Sequence, residues 1–453
     1  AEQMGGARLL WAKIAQRHGL VEDDLGRIAS FWHIYNDPVL DVLEHEAAEN
    51  NQDLRAAVAR VTQARAQARI AKADFFPTLT LDPSHSWSRL SPNILNPLPL
   101  AQGNDINVPL DLSYELDLWG RVRRSFEASN ADAQARQAAF ENTLLVLKAD
   151  VAQSYSAIRT LDSERSILRN TIELRRESLK LVNSLSRGGA ASDLDVSQAE
   201  TELDTTAAAL LALDRHRADL EHAMAVLEGK PASEFTVKEL PLAATTPLPV
   251  IPAGLPGDLL ERRPDIAEAE RALAASNARI GVATGAFFPV VRLTGAAGFE
   301  SMDVETLFNW QSKAWSLGPS ITLPLFEGGR IRANLKRSRA AYEESVATYR
   351  QQVLVAFKEV QDALTDARLL NQQAQAQDRS TASAHRTADI SNSRYRAGLV
   401  SYLEVVESER TALDAERESA RLTGQRLVTS VQLIKALGGG WADSSLPKLA
   451  ISR

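Results

Sequence analysis

The sequence sets out one plan twice, about 210 residues apart, and a chain that repeats itself at that period is built from two copies of one structural unit. The first copy carries 64–81 (ARAQARIAKADFFPTLTL), 116–124 (LDLWGRVRR) and 187–200 (RGGAASDLDVSQAE). The second carries 275–293 (ASNARIGVATGAFFPVVRL), 323–332 (LPLFEGGRIR) and 396–409 (RAGLVSYLEVVESE). Phe75-Phe76-Pro77 answers Phe287-Phe288-Pro289, and Arg187-Gly188-Gly189 answers Arg396-Ala397-Gly398. The three matches keep their order, at offsets of 212, 209 and 209.

Each copy passes from alternating, strand-like sequence into a long stretch without proline. No proline falls between Leu110 and Lys230 or between Leu325 and Leu446, although the chain has 18. Proline breaks helix interiors, so both windows are free to stay helical. In the first window glycine occurs only at Gly120, Gly188, Gly189 and Gly229. That spacing predicts one helix over 121–186, about 100 Å long at 1.5 Å per residue, and a return helix over 192–228. Along the first, the positions Leu144, Leu147, Val151, Ser154, Ile158, Leu161, Arg165, Leu168, Ile172, Arg175, Leu179 and Val182 step by three and four. Nine of these twelve are apolar, a 3.5-residue period that predicts coiled-coil packing along a narrow seam. The second window predicts helices over about 330–396 and 401–437, turning at Gly398. Each hairpin tip is then expected about 100 Å from the strands.

The strands alternate strictly. From Ile106 to Leu118 every even position is apolar, while Asn107, Pro109, Asp111, Ser113, Glu115 and Asp117 lie between. Trp315, Leu317, Pro319, Ile321, Leu323 and Leu325 face Ser316, Gly318, Ser320, Thr322 and Pro324 in the same way. Leu79, Leu81 and Trp87 mark a third strand, Val291, Leu293 and Phe299 a fourth. Period two with one polar face fits a half-buried soluble sheet or a transmembrane β-barrel. Four strands cannot close a barrel alone, since single-chain barrels begin at about eight, so closure has to be shared between copies. Trp87, Trp119, Trp315 and Phe326, near strand ends, suit the aromatic girdle of a membrane interface.

Composition excludes several classes. With 51 Lys plus Arg against 58 Asp plus Glu, the net charge of −7 argues against nucleic acid as a partner. Zero cysteines exclude disulfides and thiolate metal sites, and leave no N-terminal lipidation cysteine. The chain shows no recognisable signal peptide, as expected of a processed or trimmed form. Its one long uncharged stretch, 240–257, holds Pro241, Pro247, Pro249, Pro252 and Pro256 and reads as an extended linker between the copies, not as a spanning helix. No phosphate loop, no histidines paired at i, i+4 and no Gly-x-Ser-x-Gly elbow is present. His216 and His222, six apart, fall on different helix faces. No catalytic residue, metal or cofactor is therefore expected.

The segments 258–273 (DLLERRPDIAEAERAL), Phe287-Phe288-Pro289, 323–330 (LPLFEGGR) and 394–413 (RYRAGLVSYLEVVESERTAL) resemble the TolC family of outer-membrane efflux channels, in the branch that serves RND multidrug pumps. The likeness runs from about Phe31 to Gly440. It implies a mixed α and β membrane protein in the outer membrane of a Gram-negative bacterium. Four strands per chain would join a homotrimer's twelve-stranded, lipid-facing barrel, continued by an α-helical periplasmic tunnel. It implies the passive exit duct of a tripartite multidrug pump, docked to a periplasmic adaptor protein and an inner-membrane RND transporter. The missing lipidation cysteine and the first thirty residues depart from the family pattern. The organisation expected is an N-terminal segment (1–36), a first repeat (37–239), a Pro-rich equatorial linker (240–257), a second repeat (258–440) and a tail (441–453). Each repeat would hold a helix, two barrel strands and a long helical hairpin.

At the second tip Glu404 and Glu407, spaced i, i+3, share one helical face and would form stacked acidic rings around a symmetry axis. The resemblance assigns these positions, with Leu403, to the periplasmic gate. On residue chemistry alone, two glutamates on a long helix more commonly face solvent. Asp193 and Asp195 at the first tip add to the gate's field or serve as helix N-terminal charges. Arg396 and Arg410 are candidates for inter-helix ion pairs holding the closed state. Gly188, Gly189 and Gly398 suit helix caps; by resemblance Gly188, Gly189 and Ser192, with Ala397, Gly398, Leu399 and Ser401, would also meet the adaptor. The rival reading is a soluble coiled-coil scaffold with a small β cap.

Overall fold

The computed structural model describes residues 34–89, 102–242 and 263–439. The N-terminal segment up to 33, the linker from 243 on with 258–262, and the tail from 440 lie outside the described residues. The described residues form two units. One draws on the described residues within 34–59, 138–267 and 351–439, the other on those within 60–137 and 268–350, so both halves of the sequence contribute to each.

Among the described residues seven α-helices and five strand segments follow in order. Helix α1 (Pro38–Asn50) begins at Asp37, whose carboxylate accepts from the backbone N–H groups of Val39 and Leu40 at 3.0 and 3.3 Å. Asn51 interrupts it, and its side chain then caps α2 (Gln52–Ala73) by accepting from Leu54 N–H at 2.9 Å. After β1 (Thr78–Leu81), β2 (Ser84–Arg89) and β3 (Gln102–Leu116) come α3 (Arg121–Arg187) and α4 (Asp193–Leu227). The second half gives α5 (Pro264–Gly285), β4 (Val290–Ser301), β5 (Lys313–Thr322), α6 (Arg330–Arg396) and α7 (Tyr402–Ala436). The repeat read from sequence holds at residue resolution. Helices α2 and α5 have 22 residues each, α3 and α6 have 67 each, and α4 and α7 have 35 each. No described helix is long and apolar enough to cross a membrane.

The strand-bearing unit holds one antiparallel sheet in the order β1-β3-β4-β5, with β2 also on β3. Strands β1 and β2 keep one register along β3, Thr78 opposite Ser113 and Ser84 opposite Asn107. They are one strand cut at Asp82 and Pro83. Pro83 and Pro109 both lack the N–H a ladder needs there, which is why the third strand expected from sequence comes in two pieces. The alternation sorts the sheet into two faces. One carries the rows Leu79–Leu112–Gly295–Leu317 and Leu81–Leu110–Ala297–Trp315, the other Thr80–Asp111–Ala296–Ser316. The apolar rows are bare: Trp315 is 79 % exposed, and Leu79, Leu81, Trp87, Leu317 and Ile321 are exposed with it.

In the helical unit the seam expected along α3 is buried. Leu144, Leu147, Val151, Ile158, Leu161, Leu168, Ile172, Arg175 and Val182 are all inaccessible to solvent or nearly so. The helices α3 and α7 lock through charge as well. Glu164 of α3 accepts from Arg417 at 3.1 Å and from Arg421 at 3.0 Å. Asp162, fully buried, accepts from Arg217 of α4 at 2.6 Å and from the backbone of Leu240 at 2.9 Å, which ties the chain beyond α4 to the hairpin.

Candidate functional site

The helical unit brings both hairpin turns together, and their backbones are the same. At the first, Ala190 N–H reaches Leu185 O at 2.8 Å and Gly189 N–H reaches Ser186 O at 2.9 Å. At the second, Leu399 N–H reaches Arg394 O at 2.9 Å and Gly398 N–H reaches Tyr395 O at 2.8 Å. This paired pattern closes a helix C-terminus and needs a left-handed residue, which is why Gly189 and Gly398 both sit at φ 74. Gly188, Ser192, Ala397, Leu399 and Ser401 are exposed around the two turns.

A small core lies beneath them. Val182, Ala199, Tyr402, Val405 and Val406 are buried together, with Leu179, Val196 and Tyr395 packed on, so α3, α4, α6 and α7 all contribute. Tyr395 and Tyr402 meet with ring centroids 5.4 Å apart. The apolar positions of α7 point into this core and leave Leu403, Glu404 and Glu407 on the exposed face. Both glutamates are thus on one surface, as their spacing requires.

Their partners are arginines. Glu404 pairs with Arg394 at 3.2 Å and Glu407 with Arg410 at 3.4 Å. Arg410 also binds Glu202 of α4, its Nε donating at 2.9 Å. Glu202 is buried and is held from the other side by Arg175 of α3 at 2.9 Å. Arg175 further donates to Glu202 O at 2.7 Å and to the Thr206 hydroxyl. A chain of charges, Arg175, Glu202, Arg410 and Glu407, therefore links the two hairpins. Arg396 is exposed and forms no ion pair among the described residues; Arg394, two positions earlier, takes the place expected for it. Nothing in the local sequence marks Glu202 or Arg175 as a partner of α7, because the Glu202–Arg410 link spans more than 200 residues.

Asp193 and Asp195 lie on the first turn of α4. Asp195 accepts from Ser192 N–H at 2.9 Å while Ser192 Oγ accepts from Asp195 N–H at 3.2 Å, a capping box. Its charge is spent on the helix end. Ser401, the equivalent residue at the second tip, makes no side-chain cap bond. Among the described residues no cluster of three or more potential ligands could hold a metal ion.

The aromatic residues separate by place. Trp119, beyond β3, stacks on Phe288 at 4.9 Å and its indole N–H donates to Pro289 O at 2.8 Å; Phe75 of the matching run meets Phe126 edge to face at 5.7 Å. Phe326, beyond β5, is 89 % exposed. Trp87 lies on β2 opposite Asn104, and Trp315 falls inside β5 in a row with Leu81 and Leu110.

Comparison with known proteins adds to this geometry. The chain is 36% identical over 411 residues to the solvent efflux pump outer membrane protein SrpC of Pseudomonas putida, covering 90% of this chain and 87% of that one. It is 35% identical over 408 residues to the cation efflux system protein CusC of Escherichia coli (strain K12), covering 89% and 87%. The solved outer-membrane channel OprN superposes with a TM-score of 0.86 at 33% identity, covering 91% of this chain and 92% of that one. The outer membrane efflux protein family matches residues 43–230 and 255–439, one segment in each half. A sheet with a bare apolar face, paired long hairpins and this match together place the chain in the outer membrane efflux protein family, a family of outer-membrane channels and not of enzymes.

Proposed function

We propose that three copies of this chain form the outer-membrane exit duct of a tripartite RND-type pump, gated at the second hairpin tip. The reading is carried by one observation: Arg410 ties α7 to the buried Glu202 of α4 while Glu404 and Glu407 stay on the exposed face beside it. Around a threefold axis these carboxylates would stand close, and like charges repel unless a cation, a proton or an arginine intervenes. Arg394 and Arg410 supply that compensation within each copy, and Leu403, 51 % exposed, would narrow the opening further.

Closure by three copies is supported by the sheet. Among the described residues, β1 and β2 form one edge and β5 the other, and neither pairs onward. Long unpaired edges invite pairing, and joining β5 of one copy to β1 and β2 of the next would remove every edge. The apolar rows would then face lipid and the polar rows the lumen. The exposed turns, with Ile390, Arg394, Ala397 and Leu399 lining a shallow groove beside the second, are the surface for the periplasmic adaptor. Relatives named for solvents and for cations match over similar lengths, so cargo selection is assigned to the transporter partner. Family membership displaces the soluble scaffold.

The test is planar-bilayer conductance of the purified channel. The double substitution E404A/E407A is expected to raise resting conductance and weaken cation preference. Unchanged values of both would remove these residues from the gate.

A further inference from the structure

The two hairpins also end alike, and one residue breaks the likeness. Helices α4 and α7 close on C-cap residues of right-handed geometry, Glu228 (φ −75, ψ −5) and Leu437 (φ −80, ψ −1). A glycine with positive φ follows each, Gly229 and Gly438. Each end is pinned in the same way: Asn51 Nδ2 donates to Leu227 O at 3.0 Å, and Arg263 Nη1 donates to Ala436 O at 3.0 Å. The repeat therefore makes Glu228 the counterpart of Leu437. Leucine is what a site without water calls for. In the first hairpin the site holds a glutamate with 0 % of its surface exposed, and neither carboxylate oxygen has a hydrogen-bond partner among the described residues.

Among the described residues no cation forms an ion pair with it. Lys230 directs its ammonium group to Glu46 of α1 and lies 5.7 Å from the Phe235 ring centre. Glu46 itself faces Glu228 with the same sign of charge, and the α1–α2 turn meets the flanking Gly229 and Leu227 through the uncharged Asn50 and Asn51. The approach is close: a Cβ on Gly229 would stand 2.4 Å from Asn50 O. The C-terminal end of the α4 dipole adds partial negative charge. An ionised carboxylate without partners in such a place is strongly disfavoured, so the proton stays on.

We propose that the junction of the α4 C-terminus with the α1–α2 turn is a proton-held latch, closed most firmly while the Glu228 carboxyl is protonated and loosened as it ionises. Burial pushes this carboxyl up to about 8, against the pull of Lys230 and with the repulsion of Glu46. In the opened junction it returns to its ordinary value of about 4.3. A raised folded-state value gives stability that is complete below the unfolded value and is lost as pH climbs to the folded one. Opening should therefore become easier from about pH 4.5 to about pH 8, by up to about tenfold per pH unit, and level off above. Helix α4 starts at Ser192 beside the candidate entrance, so the latch holds the far end of an entrance helix.

Hydrogen exchange of the full-length protein in detergent, corrected for the intrinsic pH dependence of exchange, tests this. The reporting amides are those of Leu54, held by Asn51, and of Gly229 and Lys230, held by Val226 and Ala225. Their protection should fall across the window in the parent protein and lose that slope in E228Q, while E228L should be better protected than the parent at pH 8. Glu44, also buried and pushed up to about 8 by burial, faces Lys148 of α3; E44Q should keep the slope. Difference infrared spectra at pH 6.5 should show a protonated-carboxyl carbonyl band that E228Q removes. A flat parent profile, an unchanged slope in E228Q, or a slope abolished by E44Q alone would overturn the latch.

Discussion

At the first hairpin tip Asp195 turns back to Ser192 and completes a capping box; at the second, the residue 209 positions on, Glu404, leaves Ser401 uncapped and pairs with Arg394. Everything below the side chains agrees. The turns share their hydrogen bonds and their left-handed glycine, and the helices on either side have equal lengths. The second tip forgoes a cap that is typically about 1 kcal/mol stabilising. Gln198 at the first tip becomes Glu407 at the second, and Thr201 becomes Arg410. On one backbone, then, the first tip carries a capping box and the second carries exposed glutamates paired with arginines.

The comparison can be broken most forcefully at its buried anchor. R175M leaves Glu202 buried with only the half-exposed Arg410 to hold it, and removing one partner of a buried pair costs about 3–5 kcal/mol. R410M removes a partner that water already screens and should cost no more than about 1 kcal/mol while raising resting conductance. Denaturant midpoints and bilayer currents for the pair would separate anchor from clasp; equal losses of stability would dissolve the distinction. A smaller effect sharpens the contrast between the caps. S192A should cost about 1 kcal/mol at the start of α4 and S401A only a few tenths at the start of α7, read from hydrogen exchange of Asp195 and Glu404 N–H. The smallest effect on current belongs to D193A/D195A, which should leave resting conductance unchanged; a rise matching that of E404A/E407A would show that both tips line the gate.

Much of this was legible in the sequence. The prolines and glycines that punctuate it placed α3, α4, α6 and α7 within a residue or two of their observed ends, because those residues act through their own backbone. The 3.5-residue seam from Leu144 to Val182 is the buried face of α3, and the even positions from Ile106 to Leu116 are the apolar face of β3. Strand β3 starts earlier than its alternation, at Gln102, since ladder pairing with β2 extends through polar residues that carry no period-two signal. The cut at Asp82 and Pro83 was readable from Pro83 and from Pro109 only once the register set them side by side.

The sequence by itself determined the repeat, the bounds of the four long helices and which face of α3 and of β3 is apolar, because each of these follows from prolines, glycines and periods that act over a few positions. Only the tertiary structure decided that Arg394 and not Arg396 meets Glu404, that Glu202 and Arg410 join across the hairpins, and that Glu228 is buried without a hydrogen-bond partner among the described residues. Those outcomes depend on which side chains the packing of distant helices brings within about 3 Å, and no local period carries that information.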